Sequence, residues 1–514
     1  MKKLLLLTLS TCLMLTLASC AASDTSSGGA TAGTSTPSTS AQGGSADIIA
    51  VMSDDMVSFD PLVSSALINQ NILNLIYDRL FQLDENLQGT PYLVTNYEWI
   101  DAVTCELTIH DNVTYPTGEV MDTGDVKFSL EHAVSNGYLT FIDEVEIVDA
   151  TTFIIHCTGA YPALPTALAG RTTYIIQEEY YTEAISSGDW SEPQGSGRYT
   201  LGSRAVGDSV TLLAKEDYWN QEDAALNDSL TFKVIPEGLN RTIMVETGEA
   251  DLNINFATAD YDRATSDTSL HLWEHYSSNV FFLGLDNKNE HLSNVLVRQA
   301  INYAIDREAV VLAAYDGLGT AHYSTIPSSG IGYVENPGNY SYDLDKAKDL
   351  MDQAGYAAGF DITISAWNDT NEKIATVVQA YLLQIGITAE IVRIESSSMM
   401  NNLAVAGECP MWIYSWGCYA DPDLHLGSIF TQARLGSTNW FRFDDDTFEG
   451  LYLEARDTDE AVRIAAYGEV QSYLAEQGAA APLFINRIFA LSNSELQGVQ
   501  LNTESPMNYH TLHY

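Results

Sequence analysis

Between Asp343 and Trp416 the apolar residues switch repeatedly between helical and strand spacing, a pattern that few folds accommodate. Asp343 caps a helix in which Ala347, Leu350, Met351 and Ala354 fall at helical spacing, and Gly355 ends it. Phe360 to Trp367 alternates as a strand. Ile374, Val377, Val378, Tyr381, Leu382 and Ile385 form the apolar stripe of a second helix, stopped by Gly386, and Ile387 to Ile394 is another strand. This is a βαβ unit, whose right-handed crossover makes its two strands parallel. A helix over Met399 to Val405 then leads to Met411–Trp416, which extends the same sheet. Open parallel sheets take ligands beyond the carboxyl ends of their strands, so the loop Gly417 to Asp421 is expected to face a cleft. Trp416 and Tyr419 offer flat apolar area there, and Gly417 permits close backbone approach. The alternative is a buried aromatic corner, with Pro422 fixing a turn.

The first half reads differently. From Asp47 to about Ala257, short alternating strands (IIAVM, VTCELTIH, TTFIIHC, SVTLLAK, LTFKVI) mix with helices at Ala66 to Leu80 and Asn240 to Thr247, giving a sheet-rich α/β region. With 514 residues, 46% of them hydrophobic, the chain can fill two or three cores.

Lys2 and Lys3, the apolar run Leu4 to Leu17 and the small residues before Cys20 have the form of a bacterial lipoprotein signal. Cleavage would remove residues 1–19 and leave Cys20 for lipid attachment. The Ser/Thr/Gly/Ala-rich stretch from Ala21 to Ala46 carries too little apolar surface to fold and reads as a flexible tether. An ordinary secretory signal is the alternative. No later apolar stretch is long enough to cross a bilayer, so the rest is expected outside the membrane. Against 23 Lys and Arg stand 69 Asp and Glu, a net charge of −46 that disfavours nucleic acid and keeps the molecule soluble and monomer-like. Cys105 and Cys157 lie in two alternating runs that could be neighbours and could be bridged, although free core thiols fit the pattern better. No cysteine or histidine spacing suggests a metal site, and the pairs His271/His275 and His510/His513 lack partners to complete one.

Eight stretches together carry a resemblance: PQGSGRY (193–199), KEDYWN (215–220), ETGEADLNI (246–254), VRQAINYAIDREAVV (297–311), DGLGTAHYSTIP, YDLDKAKDLMDQAGY, LLQIGITAEIV and SWGCYADPD. In order and spacing they resemble the family-5 extracellular solute-binding proteins of ABC transporters, the oligopeptide, dipeptide and nickel receptors, over about residues 47 to 514. The resemblance implies a two-lobed periplasmic-binding-protein-like α/β fold (type II, large cluster with an extra N-terminal subdomain) with mixed sheets and a two-strand hinge. It places lobe 1 at 47–270 plus 489–514, with the extra subdomain at about 80–185, and lobe 2 at 271–488. It implies closure on a ligand, then delivery to a membrane permease, with no cofactor and no chemistry.

The family's recognition residues map unevenly. Peptide receptors carry an Asp three residues after the strand-end Trp, where it pairs with the ligand's α-amine; here that position is Tyr419. The loop has the length of the nickel branch, so Trp416, Gly417, Cys418 and Tyr419 are candidates to pack on a ligand or chelate. Asp421 would hold an amine if the loop is shifted by two, or cap a turn. Ser64 and Ser65 follow SFDPLV where the group lines its pocket, with helix capping as the alternative. Arg171 resembles an arginine that the nickel branch uses on carboxylates, with pairing to Glu178 or Glu179 as the alternative. Arg198 replaces the usual Pro of its loop and could present a charge to the cleft. Arg298 and Arg307 are expected to pair and pack.

The expected ligand is a peptide or peptide-like solute, with a metal chelate or other non-peptide as the second reading. An extracellular glycoside hydrolase is a distant third, suggested by 28 Tyr, 8 Trp and many carboxylates. No GxSxG, HExxH, P-loop or GxGxxG motif accompanies them.

Overall fold

The structure, a computed structural model, describes residues 47–62, 67–84, 87–170, 173–417, 421–457, 459–502 and 508–514. The expectations for the signal, Cys20 and the tether lie outside these residues. Among the described residues, no helix is long and apolar enough to cross a membrane.

The βαβ unit forms as its pattern predicts. The Asp343 carboxylate accepts from Lys346 N at 2.9 Å and starts the helix Leu344–Gln353; Gly355, at φ +84°, turns the chain out of it. Strands Phe360–Ala366 and Ile387–Arg393 pair in parallel around the helix Asp369–Leu383. Met411–Gly417 pairs in parallel on the other side of Phe360–Ala366. One face of that third strand, Met411 and Ile413, enters a core with Ile364, Ile374, Val378 and Ile387. The other face, Trp412, Tyr414 and Trp416, joins a second core with Trp440 and Phe441.

These strands belong to a mixed sheet of eleven. Its order is Ile387–Arg393, Phe360–Ala366, Met411–Gly417, Leu270–Leu285, Ala481–Asn493, Leu252–Asn253, Asp47–Met52, Ser229–Val234, Ser209–Ala214 and Tyr199–Ala205, and Gly319–Ala321 pairs onto Ala481–Asn493. The chain passes between the two flanks through the antiparallel strands Leu270–Leu285 and Ala481–Asn493. Their ladder is regular from Leu270/Asn493 to Tyr276/Arg487, then resumes at Val280/Ile485. Three residues, Ser277 to Asn279, thus stand opposite Asn486 alone, a bulge that bends the ladder and steepens its twist. Polar groups fill the gap: Ser277 Oγ donates to Asn486 Oδ1 at 2.8 Å, and Asn279 N donates to Ser277 Oγ at 2.8 Å.

A separate four-stranded antiparallel sheet, Val94–Trp99, Thr104–Ile109, Thr152–Cys157 and Ile142–Ile147, is covered by the helix Thr123–Ser135 and has its own core. Cys105 and Cys157 sit in adjacent strands of it as buried free thiols, with no bridge between them. The loop PQGSGRY seats Gly195 and Gly197 against the backbone of Ile76, where a β-carbon has no room.

Candidate functional site

The Met411–Gly417 strand ends beside the irregular crossing, because Gly417 pairs with Asn279. A β-carbon on Gly417 would approach Asn279 Oδ1 to 2.9 Å, so the missing side chain lets the two backbones and the asparagine share the space. Trp416, one residue earlier, is half-buried and meets Trp440 edge-on, with centroids 4.8 Å apart and planes at 75°. Tyr414 also meets Trp440 edge-on, at 4.9 Å. This edge-to-face stack holds the Trp416 indole rigidly at the strand end. The structure therefore brings Trp416 and Gly417 together at the bulge. Cys418 and Tyr419, and likewise Ser64, Ser65 and Arg171, lie outside the described residues.

Asp421 is placed differently from its expected ligand role. Its carboxylate accepts from Asp423 N at 3.0 Å, capping the helix Pro422–Ile429, and both oxygens lie 2.8 Å from Arg463 Nη2. The residue is 1% exposed. Turn capping, the alternative reading, is what this geometry performs, and the carboxylate is already matched by a cation. Next to it, Asp423 accepts from the Tyr452 hydroxyl and pairs with Arg456 Nε at 3.2 Å. Burial raises the Asp423 carboxyl above its usual range, opposed by Arg456. Asp421 and Arg463 thus form a buried pair, and the buried Asp423 pairs with the partly exposed Arg456, at the start of the helix Pro422–Ile429. Their arginines gave no local sign in the sequence, since Arg456 and Arg463 lie in ordinary helical surroundings more than 30 residues downstream.

Arg198 does not serve the strand-end site either. It is buried, pairs with Asp223, donates to the Asp223 carbonyl at 2.8 Å, and lies over the rings of Tyr92 and Tyr218 at 5.3 and 5.5 Å. His510 meets the other Asp223 oxygen at 3.0 Å, and burial with the nearby Arg198 charge brings its pKa down to about 3. This group borders a cavity of about 1420 Å³ that Trp219, His110, Asn71 and Trp273 also line. No residue between 276 and 498 lines it, so Trp416 and Gly417 lie outside it. The strand end at Trp416–Gly417 is the better candidate, because it lies at the carboxyl end of a parallel strand and beside the break in the crossing ladder.

Arg298 and Arg307 are buried and donate to carbonyls: Arg298 to Leu292 and Gln477, Arg307 to Pro482 and Asn302. Arg307 ties its helix to the crossing strand and Arg298 ties its own to Gln477 at the end of the helix Glu460–Glu476, as packing residues do.

A family model described as "Bacterial extracellular solute-binding proteins, family 5 Middle" matches residues 89–436, about two thirds of the chain. Among curated proteins, the dipeptide-binding protein of Escherichia coli (strain K12) is 27% identical over 420 residues, covering 76% of this chain and 78% of that protein. Heme-binding protein A of Haemophilus influenzae is 27% identical over 380 residues, covering 72% and 68%. Among solved structures, HbpA2 from Haemophilus parasuis superposes with a TM-score of 0.81 at 24% identity, over 91% of this chain and 99% of that one. That likeness carries the two-lobed fold.

Proposed function

The chain belongs to the bacterial extracellular solute-binding proteins of family 5, and from that premise we propose that it is the receptor of an ABC importer, capturing a peptide or peptide-like small solute by closing two lobes. One observation supports this most: the two flanks of the sheet are joined by two paired strands whose ladder breaks at Ser277–Asn279, and the strand end at Trp416–Gly417 lies at that break. A polar, irregular joint between two well-packed bodies is where a few dihedral changes can swing one flank against the other. Lobe 1 comprises residues 47–270 and 489–514 and lobe 2 residues 271–488, with the bulge as hinge. Trp416 and Gly417 floor the pocket, and Cys418, Tyr419, Ser64, Ser65 and Arg171 complete it. Cys20 carries the lipid anchor, residues 20–46 are the leash, and the loaded receptor docks on a permease at the outer face of the cell membrane as a monomer. The bound solute leaves unchanged.

The state of Asp421 favours a refinement. Its charge is matched by Arg463, and Tyr419 stands where peptide receptors of the group carry the amine-pairing Asp. The strand-end loop therefore lacks a free carboxylate among its described residues, which suits a cargo with a blocked or absent α-amine, such as a modified peptide or a metal chelate. The relatives' names, dipeptide-binding and heme-binding, indicate that cargo varies within the family.

Thermal-shift measurements with Met-Leu, N-acetyl-Met-Leu, longer peptides and nickel with histidine test both levels. A ligand at 100 times its Kd stabilises the folded form by about 2.7 kcal/mol. N-acetyl-Met-Leu is expected to raise the melting temperature at least as much as Met-Leu, with a more compact scattering profile on binding. A shift confined to free-amine peptides would overturn the refinement. No shift and no compaction with any probe would overturn the receptor reading.

A further inference from the structure

The two flanks of the molecule meet at a second place besides the crossing strands. Tyr161 follows the last strand of the four-stranded sheet and is 7% exposed; Arg456 follows the helix Asp446–Glu454 and places its guanidinium 5.1 Å from the centre of the Tyr161 ring. Leu424 packs onto the core of the four-stranded sheet, and Arg434 Nη2 reaches Thr140 Oγ1 at 3.4 Å. Each of these contacts joins the first proposed lobe to the second.

Both sides are braced. Phe141 stacks on Tyr161 at 3.9 Å with planes at 13°, so the ring is a fixed platform. Arg456 is held from its own side by the Asp423 carboxylate and by the Tyr452 ring at 6.0 Å. Its Nε pairs with Asp423 at 3.2 Å but makes no aligned hydrogen bond, so ring faces supply the rest of its stabilisation. Separating the lobes would take Tyr161 away and leave Arg456 with its partners in the second lobe alone. Asp423 also lies two residues past Asp421, so this contact is continuous with the strand-end loop.

We propose that Tyr161 and Arg456 form a closing contact that sets the ratio of closed to open receptor, and through it the affinity for every ligand. This rests on the two-lobe reading above. Both are positioning residues, acting through closure and touching no ligand. The apparent Kd is the intrinsic Kd divided by the closed fraction, so where the closed form is the minority a tenfold loss of closure is a tenfold loss of affinity. A desolvated cation–π contact carries a change of about that size. Ligand enters the open form, so the loss falls on the dissociation rate, while association stays nearly constant.

The test uses the full chain with Tyr161→Leu, Arg456→Lys, the double variant and Tyr161→Phe, which keeps the ring. Scattering of the ligand-free proteins reads closure directly, and stopped-flow dissociation of Met-Leu and of nickel–histidine reads its consequence. Tyr161→Leu and Arg456→Lys are expected to shift ligand-free scattering toward a more open particle and to speed dissociation about tenfold, by the same factor for each probe that binds. The double variant should add little to either, and Tyr161→Phe should match the parent. Scattering identical to the parent, with dissociation within twofold, overturns the proposal. If no probe binds even the parent, the receptor reading fails, and the ligand-free scattering still decides whether the contact controls opening.

Discussion

Replacing Arg463 by Met separates the two roles that Asp421 could have. In the structure Arg463 Nη2 lies 2.8 Å from both Asp421 oxygens, with side chains 7% and 2% exposed. At an effective dielectric of about 20, unit charges at that distance attract by about 6 kcal/mol, most of it offset by the cost of drying both ions. Arg463→Met removes the attraction but leaves the carboxylate buried with, among the described residues, the N–H of Asp423 alone. The expected loss in unfolding free energy is about 3–5 kcal/mol, the range for breaking a buried pair from one side. Adding Asp421→Asn removes the stranded charge while the amide oxygen still caps Asp423 N. The double variant should therefore recover to within about 2 kcal/mol of the parent, because an Asn cap nearly equals an Asp cap. Urea unfolding at pH 7, followed by indole emission to which the Trp412, Trp416 and Trp440 cluster contributes, reads the loss. If Arg463→Met stays within about 1 kcal/mol of the parent, the pair does no structural work and the carboxylate is available to a ligand amine after all.

Three further outcomes are expected. His322 and His425 are buried and donate from Nε2 to the carbonyls of Ile326 and Thr325 at 2.7 Å, and burial holds each pKa down to about 4. The unfolded chain binds these protons near pH 6.5 and the native one does not. The two groups therefore support the fold above pH 6.5 and lose that support as pH falls toward 4, by up to about 1.4 kcal/mol per pH unit each. Unfolding curves from pH 7 to 4.5 should show His425→Gln flattening that slope, and an unchanged slope would refute the assignment. Gly284→Ala would place a methyl inside the Trp412 indole that crosses the paired strand, so it should cost about 1–3 kcal/mol and disturb the near-UV signal. Tyr419→Asp restores the amine-pairing residue type of the peptide receptors and should raise affinity for free-amine peptides by about tenfold, the low end for a charge-assisted contact, as titration calorimetry would show.

The parts that could be read along the chain are those whose causes are local. Asp343 and Gly355 punctuate one helix and Gly386 ends another, and the stripe of Ile374, Val378 and Leu382 needs only helical geometry to find its sheet. The strand that Trp416 and Gly417 end was legible from its own local pattern, although the strands it pairs with, Phe360–Ala366 and Leu270–Leu285, are not its neighbours in sequence. Local sequence does not reveal which of 69 acids a given cation meets. Asp421 looks like a free ligand group until Arg463 arrives from 42 residues away, and Arg198 looks like a cleft charge until Asp223 and His510 close around it. The bulge at Ser277–Asn279 was also hidden, since a sixteen-residue strand of mixed polar and apolar residues shows its break only against Asn486, more than 200 residues later. Buried charge is tolerable only when matched, so in so acidic a chain the scarce arginines decide where carboxylates can be dry. The placement of Arg198, Arg456 and Arg463, each paired with a carboxylate, is thus what the fold adds to the sequence, and Arg456 alone of the three also reaches the other flank, at Tyr161. It follows that neutralising Arg456 should disturb the relation between the two flanks, whereas neutralising Arg463 should disturb the packing of its own.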